Sequence, residues 1–225
     1  MPTLPPARTP FGGRESHQAR EIAESFGLDA DRYDRARPRY PDALVDRIAA
    51  GAARSQHRHD VPDVLDVGCG TGIFADRLER DLAPGAVAGC DMSAGMLAEA
   101  AARSGRVTWV RGDSARLPFR PGAFDAVVCT MAFHFFDQPR AWAEFHRILT
   151  PGGHALVGMV HPRTAISSDR YSRMASAASK TKMIFPTAPD MRGLATAAGF
   201  DVIDQPQVDW RFHRIVPVLL TVARA

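Results

Sequence analysis

Three aspartates stand where apolar runs end: Asp66 in VLDVGCGTG, Asp91 closing AVAGCD and Asp113 in VTWVRGDS. Beside the first of them Gly68, Gly70 and Gly72 lead from a strand-like run straight into a helical one. A backbone without side chains makes a tight turn there and lets a ligand lie against the main chain at a helix N-terminus. The spacing narrows the ligand. Dinucleotide binding needs GxGxxG, whereas the glycines here follow GxGxG and Ile73 takes the third dinucleotide position. Asp66, two residues before the first glycine, repels phosphate and attracts an ammonium group. Asp91 lies roughly 20 residues past the loop, where an acidic side chain accepts ribose hydroxyls. Asp113, with Ser114 beside it, is suited to an exocyclic adenine amine. A single aspartate at a strand end is ordinarily a turn or cap residue. Three beside such a loop describe a crevice for a phosphate-free, positively charged nucleoside.

The elements that must position these residues are written as short apolar runs alternating with amphipathic segments, the pattern of a parallel sheet with crossover helices. VLDV, AVAGC, VTWV, FDAVVC and HALVGMV are the expected first five strands. Stripes of Phe74, Leu78 and Leu82, of Met96, Leu97 and Ala100, and of Trp142, Phe145 and Leu149 are helix faces against the sheet. Ser93 and Asp137 fit N-cap positions, the latter followed by Gln138 and Pro139. A Ser- and Arg-rich stretch, 161–189, precedes a short helix, DMRGLATAAG. Two last strands, FDVIDQ and IVPVLLTVARA, are near enough in sequence to pair antiparallel. Upstream, DADRYDRAR reads as a helix stopped by Pro38, and a second begins at Pro41 with Leu44, Val45 and Ile48 on one face. The carboxylates then meet at the switch point of an open α/β sheet.

A chain of 225 residues, 45% hydrophobic, fills one core and is short for two. The expected organisation is a flexible arm (1–25) and a single domain (26–225), with 26–58 as lid helices and 161–189 as a substrate-side insertion. The formal charge of +3 is spread along the chain. The nearest thing to a basic stripe, Arg163, Arg170, Arg173, Lys180 and Lys182, reads better as a solvated loop than as a nucleic-acid surface. Cys69, Cys90 and Cys129 are far apart and fit buried thiols of a reducing compartment. No apolar run approaches a membrane span or a signal sequence, and a cytoplasmic, membrane-free protein is expected.

Four segments together resemble the class I S-adenosylmethionine-dependent methyltransferases that act on small molecules: VLDVGCGTG, GCDMSAGML, GDSARLPFRPGAFDAVV and RILTPGGHALV, in that family's order and spacing. The resemblance runs from about Asp60 to Ala225. It implies a Rossmann-like α/β sheet of seven strands in the order 3-2-1-4-5-7-6, strand seven antiparallel, with helices on both faces. It also implies that S-adenosylmethionine is the cofactor and S-adenosylhomocysteine the product. Carried over, Asp66 serves the methionyl amine through the loop, and Gly68, Gly70 and Gly72 give close backbone approach. Asp91 binds the ribose, Met92 packs on the adenine, Asp113 and Ser114 read its edge, and Thr130 lies beside the methionyl group. Cys69 and Met96 complete the expected cofactor-lining set. YDRARPRYP resembles the family's N-terminal lid, with Tyr33 and Arg37 reaching the cofactor or the substrate.

Methyl transfer from a sulfonium is an in-line displacement, in which positioning supplies much of the acceleration. A general base is needed only if the acceptor must lose a proton. In TMAFHFFD, after the fourth strand, His134 is the candidate base, and a packed structural histidine is the competing reading. Phe133, Phe135 and Phe136, with Phe185 and Trp210 further off, are candidates for an apolar wall suited to a natural-product or lipid-like acceptor, or else plain core. CTMA after the fourth strand lacks the Asn- or Asp-Pro-Pro-aromatic pattern of nucleic-acid amino methyltransferases, and no acidic set resembles a divalent-metal site, so no metal is expected. The competing functions are a methyltransferase-fold protein with a non-methylating role, an RNA or protein methyltransferase, and, least favoured, an NAD-dependent oxidoreductase.

Overall fold

The computed structural model describes residues 62–81, 87–160, 185–212 and 214–225, together with residues 21, 24, 25, 27, 28, 30, 40, 42, 43, 46 and 50. Most of the expected arm (1–25), lid (26–58) and insertion (161–189) lies outside them, and so do Tyr33, Arg37 and the basic stretch from Arg163 to Lys182.

The described elements follow in the order β1 (Val64–Val67), α1 (Ile73–Asp81), β2 (Val87–Asp91), α2 (Ala94–Arg103), β3 (Thr108–Arg111), β4 (Phe124–Thr130), a 3-10 turn (Phe133–Phe135), α3 (Gln138–Ile148), β5 (Leu149–Val160), α4 (Ala188–Ala197), β6 (Asp201–Asp204), β7 (Gln207–Phe212) and β8 (Arg214–Arg224). They form one sheet in the order β3-β2-β1-β4-β5-β8-β6, with β7 also paired to β8. Strands β1 to β5 are parallel, and β8 runs antiparallel to β5, β6 and β7. The expected order holds once β8 is read as the seventh strand. Two details are corrected. An additional strand, β7, forms a hairpin with the first half of β8, and β5 begins at Leu149, where a register shift opposite Phe124/Ala126 absorbs Pro151, Gly152 and Gly153. The third helix stripe accordingly ends at Ile148, because Leu149 already belongs to the strand.

Every residue of β1 and of β4 is buried, as a strand covered on both faces requires. Successive side chains alternate between two cores. Leu65, Val67, Val127, Cys129 and Val157 face Trp142 and Phe145 of α3 and Met191 of α4. Val64, Ala126, Val128 and Leu156 face Phe74 and Leu78 of α1. Each such large side chain contributes about 2 kcal/mol on burial, and together they hold the carboxyl ends of β1, β2 and β4 in one rigid row. The helix starts are fixed by local chemistry: the Ser93 hydroxyl accepts from Met96 N and the Asp137 carboxylate from Arg140 N.

Candidate active site

The turn after β1 is tied to β2 by its backbone. Gly68 N and Cys69 N both donate to Cys90 O, at 2.8 and 3.2 Å, and Gly72 N donates to Cys69 O. Gly68, Gly70 and Gly72 all have positive φ, which side chains disfavour. Their surroundings differ. A Cβ on Gly68 would stand 2.5 Å from Ala132 Cβ, and one on Gly72 would stand 2.5 Å from the Trp109 ring, so these two glycines serve close packing. A Cβ on Gly70 would meet nothing within 4 Å. Gly70 therefore presents bare backbone to open space, and the Arg103 guanidinium, donating to Thr71 O at 2.9 Å, steadies the turn from α2.

Asp91, at the tip of β2, is locked to that loop. One carboxylate oxygen accepts from Gly70 N at 2.8 Å and the other from Ser93 N at 2.9 Å. Each oxygen keeps lone-pair capacity for further donors. Burial raises the Asp91 pKa, against the lowering by the Ser93, Gly70 and Met92 amides. Asp113 follows β3 and is buried, with Oδ1 accepting from Ala115 N and its carbonyl from Arg116 N, both at 2.9 Å, in a tight turn. Ser114 is buried beside it. Asp66 is buried on β1, in register with Gly89 and Val128. Burial drives the thiols of Cys69, Cys90 and Cys129 up, and negative charge drives them further, from Asp91 and Asp66 at Cys69 and from Asp91, Asp113 and Asp66 at Cys90. All three carboxylates thus act on one small region, which is electronegative and favours a cation. The thiols are free, buried and unreactive.

The tip of β4 carries the fourth part of the site. The Thr130 hydroxyl donates to Tyr40 Oη at 3.3 Å, and the Tyr40 ring packs edge-on against Phe74. The next residue, Met131, has φ 61°, rare for a non-glycine residue, and its N donates to Gly158 O at 2.7 Å. Strained backbone of this kind collects at working sites. The aromatic run that follows divides its roles. Phe133 is fully buried against Trp142 and Phe145, in the core and not on a pocket wall, whereas Phe136 packs over Gly68. His134 is 2% exposed, stacked on Phe185 at 4.7 Å and tilted against Phe135. Met96 belongs to the buried face of α2. Met92 is partly buried and its carbonyl accepts from Arg111. Trp210 lies on β7. Among the described residues no cluster of His, Cys, Asp or Glu could hold a metal ion, and no helix is long and apolar enough to cross a membrane.

Two groups in this site went unnoticed in the sequence. Tyr40 meets Thr130 from 90 residues away; it lies in the YDRARPRYP segment, of which the sequence singles out only Tyr33 and Arg37. The N-terminal segment also touches the opposite side: a Cβ on Gly95 would meet Gly27 O at 2.5 Å, and Arg111 lies 3.5 Å from Glu24.

Comparison with known proteins bears on this arrangement directly. The family model of the methyltransferase domain matches residues 65–157, from within β1 to within β5. Over 187 residues the chain is 35% identical to the ubiquinone/menaquinone biosynthesis C-methyltransferase UbiE of Paracoccus denitrificans, a match covering 73% of this chain and 74% of that protein. The chain belongs to the S-adenosylmethionine-dependent methyltransferase family. It is also 33% identical over 148 residues to the malonyl-acyl-carrier-protein O-methyltransferase of Hahella chejuensis; that match covers 64% of this chain and spans about half, 51%, of the relative's length. The solved structure of the cyclase SpnF shares the fold, with a TM-score of 0.70 over 92% of this chain and 96% of that one at 22% identity.

S-adenosylmethionine is the cofactor of this methyltransferase family. The residues present fit it. The open face of Gly70, the spare acceptor capacity of Asp91 and the buried carboxylates of Asp66 and Asp113 suit a nucleoside that carries hydroxyls, an amine and positive charge but no phosphate.

Proposed function

We propose that this protein transfers a methyl group from S-adenosylmethionine to a small, largely apolar acceptor by in-line displacement, leaving S-adenosylhomocysteine. The observation that carries the reading is the bond from Gly70 N to Asp91, which locks the bare turn and the ribose-binding carboxylate into one unit. The bound cofactor supplies a methyl group made electrophilic by the sulfonium. The chain supplies position. In this reading Asp91 accepts the ribose hydroxyls, Asp66 serves the amino end through the loop, and Asp113 and Ser114 take the adenine edge beside Met92. Thr130, steadied by Tyr40, borders the methionyl side, and Tyr33 and Arg37, outside the described residues, are assigned to the cofactor or the substrate by family resemblance alone. Orientation of this kind can supply several orders of magnitude without a proton transfer. In this reading His134 enters as a packing residue that shapes the acceptor side, its buried ring stacked on Phe185 and tilted against Phe135.

The acceptor reading draws on the relatives named for ubiquinone/menaquinone and malonyl-acyl-carrier-protein methylation. An apolar ring or acyl chain suits Phe135, Phe136 and Phe185. Calorimetry with S-adenosylmethionine, S-adenosylhomocysteine and NAD tests the cofactor, and a labelled-methyl screen over quinone precursors and carrier-bound acids tests the acceptor. Absence of measurable affinity for both adenosyl ligands overturns the reading. A second reading is favoured by the shared fold with a protein named as a cyclase: binding of S-adenosylmethionine with no methyl transfer to any acceptor points to a non-methylating role.

A further inference from the structure

Two side chains of helix α3 grip the β3–β4 connection as a neighbouring strand would. Glu144 Oε2 accepts from Leu117 N at 2.7 Å, and Arg147 Nη2 donates to Leu117 O at 3.0 Å, so both backbone groups of one residue are taken by a side-chain pair. Arg147 Nη1 also donates to Phe119 O at 2.8 Å. The pair is itself a two-pronged fork, with Arg147 Nε to Glu144 Oε1 at 2.7 Å and Nη2 to Oε2 at 2.6 Å. Such forks fix geometry as well as adding energy. Leu117 directly follows the turn that Asp113 closes through Ala115 N and Arg116 N. Upstream, Gly112 N donates to Asp91 O, and a Cβ on Gly112 would meet Cys90 Sγ and Pro118, each at 2.8 Å. The turn bearing Asp113 and Ser114 is thus held at one end by β2 and at the other by α3.

We propose that Glu144 and Arg147 are positioning residues for the adenine end of the cofactor site, acting through Leu117 on Asp113 and Ser114. The inference rests on the proposed role of Asp113 toward the adenine amine. Neither side chain needs to touch the cofactor. Their effect is to keep a buried acceptor within hydrogen-bond range of an exocyclic amine, and a site built to accept such a bond discriminates against a ligand that lacks the donor. Removing the fork leaves the turn with its apolar anchors, Leu117 and Phe119, both buried, so the fold persists while the acceptor loses register.

The test is calorimetric and needs no turnover: affinity for S-adenosylhomocysteine and for S-inosylhomocysteine, whose ring carries an oxo group in place of the amine. The unmodified protein binds the adenosyl ligand more tightly. In Glu144→Gln and Arg147→Met the adenosyl affinity falls about tenfold, equivalent to about 1.4 kcal/mol, the inosyl affinity changes less, and the ratio contracts. Arg147→Lys, which keeps the charge without the fork, gives an intermediate ratio and serves if Arg147→Met does not fold. Thr187→Ala, which removes the exposed cap of α4, lowers stability but leaves the ratio intact. Equal losses for both ligands, or an unchanged ratio in the fork variants, overturn the proposal. An unmodified protein that binds both ligands equally removes the role of Asp113 and this inference with it. One that binds neither removes the cofactor reading itself.

Discussion

Gly70→Ala and Gly72→Ala are the same change two residues apart, and they should fail in different ways. Both glycines have left-handed φ, 54° and 76°, where a Cβ costs about 1–2 kcal/mol. The smaller conformational freedom of unfolded alanine returns about 0.4–1 kcal/mol. At Gly70 the new methyl meets nothing within 4 Å, so the net loss is about 1 kcal/mol, or roughly 2–4 °C in Tm. At Gly72 it would stand 2.5 Å from Trp109 Cη2 and 3.0 Å from Ala100 Cβ. Overpacking of that kind adds about 1–3 kcal/mol, bringing the total to about 2–4 kcal/mol and roughly 4–16 °C. Binding should order the other way. In the proposed site the Gly70 methyl would occupy the space taken by the nucleoside, and S-adenosylhomocysteine affinity should drop about tenfold to a hundredfold, or about 1.4–2.7 kcal/mol. Gly72→Ala, measured below its own Tm, should keep affinity within about threefold, or about 0.6 kcal/mol. Thermal denaturation and calorimetry on the two variants decide the matter. A Gly70 variant that binds normally, or one that melts below the Gly72 variant, refutes the division between ligand-facing and packing glycines.

Asp91 should give the site a pH signature. Burial raises its folded pKa, so between the unfolded and folded values the native state holds the extra proton and stability falls as pH rises. If, as proposed, ribose hydroxyls donate to the ionised Asp91 carboxylate, S-adenosylhomocysteine affinity should fall as pH drops through the raised value; Asp91→Asn should flatten both trends in calorimetric and thermal titrations. His134→Ala should lower Tm through lost packing against Phe135 and Phe185 while the pH profile of turnover keeps its shape; disappearance of a limb near the imidazole range would restore the general base. Thr187→Ala removes the hydroxyl that accepts from Asp190 N and should cost about 1 kcal/mol by thermal melting.

Local chemistry was legible in the sequence. VLDV became β1 residue for residue, and Ser93 and Asp137 became caps, because cap and strand signals reside in a few adjacent residues. The row of acidic strand tips was legible for the same reason. What escaped depends on distant partners. In AFHFF nothing local says that Phe133 turns into the core while Phe136 covers Gly68; that follows from where α3 packs. Leu149, expected on a helix stripe, starts β5 instead, ahead of the expected HALVGMV, because β4 offers a bulged register for it. QVDWRF, not among the expected strands, becomes β7 by pairing along the first half of β8. Tyr40 with Thr130, and Glu144 and Arg147 with Leu117, are side chains meeting across 90, 27 and 30 residues, and no spacing rule anticipates them.

Strand β8 has a particular place in the sheet. On one side it is zipped to β5 from His154 through Val160; on the other, β7 takes its first half and β6 its last three residues. Within the described sheet β6 and β7 are tethered to the parallel strands only through this shared spine. Any opening that peels β8 from β5 must release both together, as one cooperative flap. Amide exchange should show the three strands losing protection in unison, while β1 and β4, with the cofactor turn they carry, stay shut.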